Sequence, residues 1–170
     1  MIKYRKSFIV GLKGIFLAKK EIFFLKKYKP WGVILFSRNI KSIKQTKKLT
    51  DDIKKIFNDR KYPILIDQEG GRINRLSKFI DTSKFTGTFF GSLYKNNFKK
   101  FTTYYRIYIM QTCSLMHKIG VNINTVPILD VSRKKSHNII GDRSFSTNPK
   151  IVSKIGDFCI KEFHKNNIGT

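Results

Sequence analysis

The chain has 170 residues, of which 41% are hydrophobic, and this is enough to bury the core of one ordinary domain. No stretch approaches the ~18 consecutive apolar residues that a membrane-spanning helix needs, so no such helix is predicted. The formal net charge of +24 leaves nucleic-acid binding open as a function.

The N-terminal third alternates between segments that are typical of buried strands and of amphipathic helices. Residues 8–12 and 32–36 are predicted to form the first two strands. Ser42 and Gln45 have the spacing of a capping box, and they predict the start of a helix. Its apolar face would contain Ile43, Leu49, Ile53 and Ile56. This alternation indicates an α/β fold in which helices connect the strands of a parallel sheet.

The basic and apolar N-terminus has a superficial likeness to a secretion signal. Lys13 interrupts the apolar run that begins at Ser7 after about six residues, whereas a signal sequence needs roughly 7–15. We therefore expect a cytoplasmic protein.

The most informative segment is IDQEGGRINRL, at residues 66–76. It follows an apolar run at residues 62–66 that is predicted to be the third strand, and Asp67 lies where that strand would end. An ionised Asp accepts hydrogen bonds only, so it can bind two neighbouring hydroxyls of a sugar ring. Gly70 and Gly71 permit a turn with positive φ and a close approach of a ligand to the main chain.

Two arginines in this segment have alternative interpretations. Arg72 and Arg75 are three residues apart and point the same way only in a helix, so one can face a pocket while the other pairs with Glu69. The alternative is a surface turn that a Glu–Arg pair holds together.

The middle of the chain is predicted to contain one long loop and one long helix. Residues 77–97 are rich in Ser, Thr, Gly and Asn and indicate a loop, which at this length is usually functional. A helix is predicted from Phe98 to the region of Gly120, which can close it. Its core-facing stripe would contain Phe101, Tyr104, Tyr105, Tyr108, Leu115 and Met116.

The last third is predicted to contain a fourth strand, a second loop and a final helix. Residues 122–126 form the predicted strand, and Asp130 is interpreted as an anchor of the loop that follows. In that loop Arg143 either presents its guanidinium to a carboxyl or hydroxyl group, or forms a surface pair with Asp142; the spacing leaves both readings open. Asn148 and the following proline predict the start of the final helix. Its inward residues would be Ile151, Ile155, Phe158 and Phe163.

The remaining cysteines and histidines do not indicate a metal site. Cys113 and Cys159 lie in apparently helical segments without metal-ligand spacing, so we expect buried free thiols. His137 and His164 are interpreted as a loop histidine and a surface histidine. Neither a metal nor an organic cofactor is predicted.

Four segments occur in an order and at spacings that resemble one enzyme family. They are WGVILFSRNI (31–40), IDQEGGRINRL (66–76), VNINTVPILDV (121–131) and IGDRSFSTNP (140–149). Together they resemble the bacterial β-N-acetylhexosaminidases of glycoside hydrolase family 3, from about residue 8 to the last residue. The resemblance implies a retaining glycosidase that removes terminal β-linked N-acetylglucosamine from peptidoglycan fragments, through a covalent glycosyl–Asp intermediate, on a (β/α)₈ TIM barrel.

By this resemblance Asp67, Arg75 and Arg143 match the positions that bind the terminal sugar. The family continues with a Lys-His-x-Pro-Gly-His-Gly loop that supplies the acid/base, and with a nucleophilic Asp beyond it. Neither occurs in these residues, so no catalytic residue is assigned and both groups are expected beyond Thr170.

A complete barrel of this kind has about 250 residues, with about 200 as the lower limit. We therefore expect residues 1–170 to be the N-terminal half of the catalytic barrel, about the first four β/α units, with the missing part at the C-terminal end. If these were all the residues of the protein, half a barrel would expose an open strand edge and an uncovered apolar face. This fragment alone is expected to be inactive, and the complete protein to be a monomer.

Two other functions remain as alternatives. A β-glucosidase-type member of the same family would share these residues, because the sequence does not reveal specificity for the 2-acetamido group. A non-catalytic basic protein that binds nucleic acid would explain the charge of +24, but the lysines are spread along the chain and form no block of five or six like charges. Carbohydrate, such as N-acetylglucosamine-containing muropeptides, is therefore the expected partner.

Overall fold

The computed structural model describes residues 4–133 and 138–170, so His137 lies outside the described residues. In these ranges four strands form one sheet: β1 (Lys6–Gly11), β2 (Pro30–Leu35), β3 (Ile64–Ile66) and β4 (Ile123–Asn124). The helices are α1 (Lys19–Tyr28), α2 (Ile43–Phe57), α3 (Gly87–Asn96), α4 (Phe98–Ile119) and α5 (Pro149–Lys165). None of the helices in the described part of the chain is long and apolar enough to cross a membrane.

The sheet is parallel throughout, and its spatial order β1-β2-β3-β4 is the order of the strands along the chain. Helices α1, α2, α4 and α5 connect these strands or follow the last of them, and consecutive members of this series contact each other. Such an arrangement is the repeating β/α unit of a barrel. The prediction of an α/β fold with about four β/α units is therefore confirmed.

Strand β3 is the centre of the core, because all three of its residues are buried. Val33 of β2 pairs with Ile64, and Ile66 pairs with Asn124 of β4. The strand is shorter than predicted, but the buried Tyr62 just before it packs against Phe57 with ring centroids 3.9 Å apart. The helices cover this strand with the buried side chains Leu49, Ile53, Ile109, Met116 and Ile155.

Helix α2 begins where the capping pattern predicts. The Ser42 hydroxyl accepts a hydrogen bond from the Gln45 backbone N–H at 3.2 Å, and the Gln45 side chain accepts one from the Lys41 N–H at 2.8 Å. Ile43 was expected on the apolar face, but it is exposed, because it lies in the first turn before the helix reaches the core.

Helix α3 corrects the prediction that residues 77–97 form one loop. Thr86 caps it by accepting a hydrogen bond from the Phe89 backbone N–H at 3.0 Å. Gly87 and Gly91 lower its intrinsic helix propensity, which is why the sequence pattern does not reveal it. Packing of Phe90 into the core stabilises the helix instead.

Helices α4 and α5 begin and end close to the predicted positions. Gly120 closes α4 in the left-handed conformation, with φ of 76°, and Asn148 caps α5. In the predicted stripe of α4, Tyr104 is exposed while the other aromatic rings are buried. Cys113 and Cys159 are buried free thiols, as predicted, and burial raises the pKa of each to about 12.

One ion pair joins α4 to α5 at the edge of the core. The Arg106 guanidinium donates to both carboxylate oxygens of Glu162, from Nε at 3.0 Å and from Nη2 at 3.3 Å. Lys165 donates to the same carboxylate at 2.8 Å. The hydrogen bond from Arg106 is the main reason that the pKa of Glu162 lies below its ordinary value, and the one from Lys165 also lowers it. Burial acts in the opposite direction.

This lowered pKa predicts an acid-sensitive contribution to stability. A depressed carboxylate pKa stabilises the folded state above the ordinary value of about 4.3, and the contribution is lost as the pH falls through the lower folded value. We expect the free energy of unfolding to fall less between about pH 7 and about pH 3 in Glu162→Gln than in the wild type. Urea unfolding at both pH values tests this, with the exposed Asp157→Asn on the same helix as control. An equal acid dependence in Glu162→Gln and wild type would contradict it.

Candidate functional site

The candidate site lies at the carboxyl ends of the parallel strands, where Asp67 follows β3. Buried hydrogen bonds hold Gln68, the residue after Asp67, in place. The Gln68 backbone N–H donates to the Asn124 side-chain oxygen at 2.9 Å, and the Asn124 amide donates back to the Gln68 carbonyl at 3.0 Å. The Gln68 side chain in turn accepts from the Leu76 N–H at 3.0 Å. The backbone that carries Asp67 is therefore tied to the end of β4.

Asp67 itself is only partly buried and contacts two neighbouring side chains. One carboxylate oxygen accepts from Nη2 of Arg75 at 3.3 Å, and the other accepts from the Thr125 hydroxyl. About a quarter of each charged side chain remains exposed, 24% for Asp67 and 25% for Arg75. The Arg75 guanidinium also lies over the ring of Phe36, 5.5 Å from its centroid. Asp67 and Arg75 thus form a charged pair that stays open to a ligand.

Arg143 is held by Glu69 through a bidentate pair. Its Nε and Nη2 donate to the two carboxylate oxygens of Glu69 at 2.7 Å and 2.8 Å, in a fork geometry that is strong and directional. The two side chains are 20% and 11% exposed, so water screens this pair less than a surface pair. The reading in which Glu69 pairs with Arg72 or Arg75 is therefore wrong, because the chain fold brings Arg143 to it instead.

Arg72 forms a second connection between the same two loops. It pairs with Asp142 at 3.2 Å and donates to the backbone carbonyls of residues 138–140. The reading in which Asp142 pairs with Arg143 is wrong for the same reason. The pair Arg72–Asp142 is nested inside the pair Glu69–Arg143 in sequence, and together they join the loop after β3 to the short 3₁₀ turn at Gly141–Arg143.

The charges around Arg143 also connect it to Asp67. The pKa of Arg143 is raised, first by its hydrogen bonds to Glu69 and also by the negative charges of Asp130 and Asp67. Asp130 acts as a loop anchor through its backbone, since its carbonyl accepts from the Ser144 hydroxyl at 2.6 Å. Among the three predicted residues, Asp67 and Arg75 are in direct contact, whereas Arg143 binds Glu69, which lies two residues after Asp67 on the loop that follows β3.

Helix α3 supports the loop that carries Arg143. A Cβ atom at Gly87 would lie 2.0 Å from the Arg143 carbonyl oxygen, and one at Gly91 would lie 1.7 Å from the Phe145 carbonyl oxygen. The two glycines are one helical turn apart, so the loop backbone lies directly on the helix. On the other loop, Gly70 has a φ of 96° and a Cβ there would lie 2.3 Å from the Phe85 carbonyl oxygen. Both loops thus depend on glycine for close backbone contact.

Sequence reasoning missed two side chains of this site. Thr125 binds one oxygen of Asp67; the sequence pattern places it inside the predicted fourth strand, but β4 ends at Asn124 and Thr125 follows it at the same sheet edge as Asp67. Phe36, which lies under Arg75, is likewise inside the predicted second strand, whereas β2 ends at Leu35. Within the described ranges, no cluster of three or more His, Cys, Asp or Glu side chains is arranged to hold a metal ion.

At the carboxyl ends of the strands, the partly exposed Asp67 offers acceptor oxygens beside the Arg75 guanidinium, and Arg143 adds further donors on the loop that is joined to it. This arrangement suits a neutral ligand with neighbouring hydroxyl groups. Comparison with known proteins agrees with this chemistry: the model of the glycosyl hydrolase family 3 N-terminal domain matches residues 15–170. The chain belongs to glycosyl hydrolase family 3.

Individual relatives of this family 3 chain carry related names. It is 32% identical to β-hexosaminidase A of Pseudoalteromonas piscicida over 148 residues, which are 82% of this chain and 23% of that protein. It is 28% identical to a β-hexosaminidase of Xanthomonas campestris pv. campestris over 95% of this chain and 47% of that protein. The chain thus spans about half or less of the length of these relatives.

Solved structures support the fold of the family 3 chain. The structure of NagZ from Neisseria gonorrhoeae in complex with N-trifluoroacetyl-D-glucosamine matches with a TM-score of 0.84 and 25% identity, over 95% of this chain and 47% of that chain. The β-N-acetylglucosaminidase of Thermotoga maritima has the same fold with a TM-score of 0.72 and 20% identity, over 95% of this chain and 31% of that chain. The predicted family is confirmed.

Proposed function

We propose that residues 1–170 are the sugar-binding half of the catalytic barrel of a β-N-acetylhexosaminidase. The complete enzyme hydrolyses terminal β-linked N-acetylglucosamine with retention of configuration. Asp67, Arg75 and Arg143 bind the terminal sugar, and the nucleophile and the acid/base come from residues beyond Thr170. The observation that supports the proposal is the partly exposed Asp67–Arg75 pair at the carboxyl end of β3, with Arg143 joined to the same loop through Glu69.

The chemistry of each side chain supports its assigned role. Asp67 accepts hydrogen bonds from sugar hydroxyls, while the free N–H groups of Arg75 and Arg143 donate to sugar oxygens. The names of the Pseudoalteromonas and Xanthomonas relatives and the ligand of the Neisseria structure favour an N-acetylated hexosamine as the sugar. We further propose a monomeric cytoplasmic enzyme that acts on N-acetylglucosamine-containing muropeptides in peptidoglycan recycling.

The first test is to read the coding sequence beyond Thr170. We expect a Lys-His-x-Pro-Gly-His-Gly run within about ten residues, since the last β/α unit of the chain is followed by that loop in the family. A stop codon immediately after residue 170 would contradict the proposal that this chain is half of a barrel.

The second test compares substrates with the full-length protein, by which we mean the complete polypeptide that contains this chain. We expect faster release of nitrophenol from the nitrophenyl β-N-acetylglucosaminide than from the matching β-glucoside. Measuring kcat/KM for both substrates under the same conditions decides between them. A higher kcat/KM for the glucoside would favour the β-glucosidase alternative, and hydrolysis of neither substrate would refute the proposed function.

A further inference from the structure

Glu69 lies in the site as the charged partner of Arg143. Both of its carboxylate oxygens accept hydrogen bonds from Arg143, at 2.7 Å and 2.8 Å, and its side chain is 11% exposed. A carboxylate that binds an arginine through both oxygens affects a ligand by orienting that arginine.

Arg143 keeps part of its donor capacity in this arrangement. A guanidinium has five N–H donors. Two of them bind Glu69 and a third binds the Ile139 carbonyl at 3.2 Å, so two N–H groups remain available for a ligand. The bidentate contact with Glu69 fixes the plane of the guanidinium and thereby the direction of these two donors.

The loop backbone and the guanidinium are held by different contacts. Arg72, Asp142 and the glycines of α3 fix the backbone of the loop. The guanidinium of Arg143 is held by the Glu69 carboxylate through two hydrogen bonds and by the Ile139 carbonyl through one. Glu69 is its charged partner, and the contact with Glu69 is the bidentate one.

We infer that Glu69 is a positioning residue for sugar binding: its bidentate contact orients the Arg143 guanidinium toward the sugar. The inference rests on the proposed function only in taking N-acetylglucosamine as the ligand. Without the Glu69 carboxylate, the plane of the guanidinium is no longer fixed, so the substitution weakens the hydrogen bonds that Arg143 donates to the sugar.

The first experiment follows Arg143 directly, without a sugar. In the full-length protein with ¹⁵N-labelled arginine, the Nε–H signal of Arg143 is assigned by its loss in Arg143→Lys. We expect this signal to be dispersed and protected from exchange in the wild type, lost in Glu69→Gln and partly restored in Glu69→Asp. Asp157→Asn, which removes an exposed carboxylate from α5, is the matched control and should leave the signal in place.

The second experiment measures kinetics on the nitrophenyl β-N-acetylglucosaminide. We expect Glu69→Gln to raise KM about ten- to a hundredfold, the effect of losing a charged hydrogen bond to the sugar, with a smaller change in kcat. In an Arg143→Gln background the same substitution should have no further effect, because Glu69 acts through Arg143. Additive effects of the two substitutions would overturn the inference.

The two experiments separate the inference from the proposed function. An unchanged Arg143 signal in Glu69→Gln would overturn the positioning role while leaving hydrolysis of the N-acetylglucosaminide intact as support for the function. If the Arg143 signal responds as expected but the protein does not hydrolyse the N-acetylglucosaminide, the proposed function is refuted. The role of Glu69 in orienting Arg143 would still stand. If Glu69→Gln does not fold, the comparison of Glu69→Asp with the control Asp157→Asn tests the same point.

Discussion

Asp67→Asn in the full-length protein is expected to raise KM and lower kcat, so that kcat/KM on an N-acetylglucosaminide falls by about 10- to 150-fold. This range corresponds to the loss of one charged hydrogen bond, which contributes roughly 1.5–3 kcal/mol. The amide keeps the size of the side chain but has a single acceptor oxygen and adds a donor. That donor would face Arg75 and Thr125, which both donate to Asp67 in the wild type.

Steady-state kinetics of Asp67→Asn beside Asp157→Asn provides the measurement. Asp157 is an exposed carboxylate on α5 that pairs with Lys161, far in sequence from the candidate site. Its replacement removes the same charge from the protein without touching the Asp67 cluster. If Asp67→Asn hydrolyses the substrate as fast as the control variant, Asp67 does not bind the sugar.

Gly91→Ala is expected to have the largest effect on stability, a loss of about 3 kcal/mol in the free energy of unfolding. The new methyl group would lie 1.7 Å from the Phe145 carbonyl oxygen, and backbone cannot move aside as easily as a flexible side chain. Either α3 or the loop that carries Arg143 must shift. We therefore also expect a lower kcat/KM, because the guanidinium moves with its loop.

Urea unfolding of the full-length protein tests this prediction, with Gly14→Ala as the matched control. Gly14 has no atom within 4 Å of the position that its Cβ would take, so the same substitution there adds a methyl group in open space. Equal free energies of unfolding for the two variants would show that the contact between α3 and the loop does not constrain the fold.

The sequence revealed the first of these two sites, Asp67, but not the second, the backbone contact at Gly91. The sequence predicted the position of Asp67 because a short apolar run followed by a carboxylate marks the end of a buried parallel strand. It did not predict the contact at Gly91. A glycine lowers helix propensity wherever it occurs, and its benefit becomes visible only when the backbone that approaches it is known.

The sequence by itself determined the alternation of strands and helices, the caps at Ser42 and Asn148, and the family to which the chain belongs. These features depend on local periodicity and on residues that are close together in the chain, so spacing alone reports them. They also place Asp67 at the carboxyl edge of the sheet, because it follows a buried parallel strand, whereas Arg75 and Arg143 were assigned to the site by the family resemblance.

Only the tertiary structure decided which charges pair within the site. Glu69 and Arg143 are 74 residues apart in sequence, and each has an alternative partner nearby: Arg72 for Glu69, and Asp142 for Arg143. Neighbouring charges in sequence do not face each other unless the backbone directs them together. Here the loop that carries Arg143 packs directly on Gly87 and Gly91 of α3. In this fold Glu69 lies within hydrogen-bond distance of Arg143, and Arg72 lies within hydrogen-bond distance of Asp142.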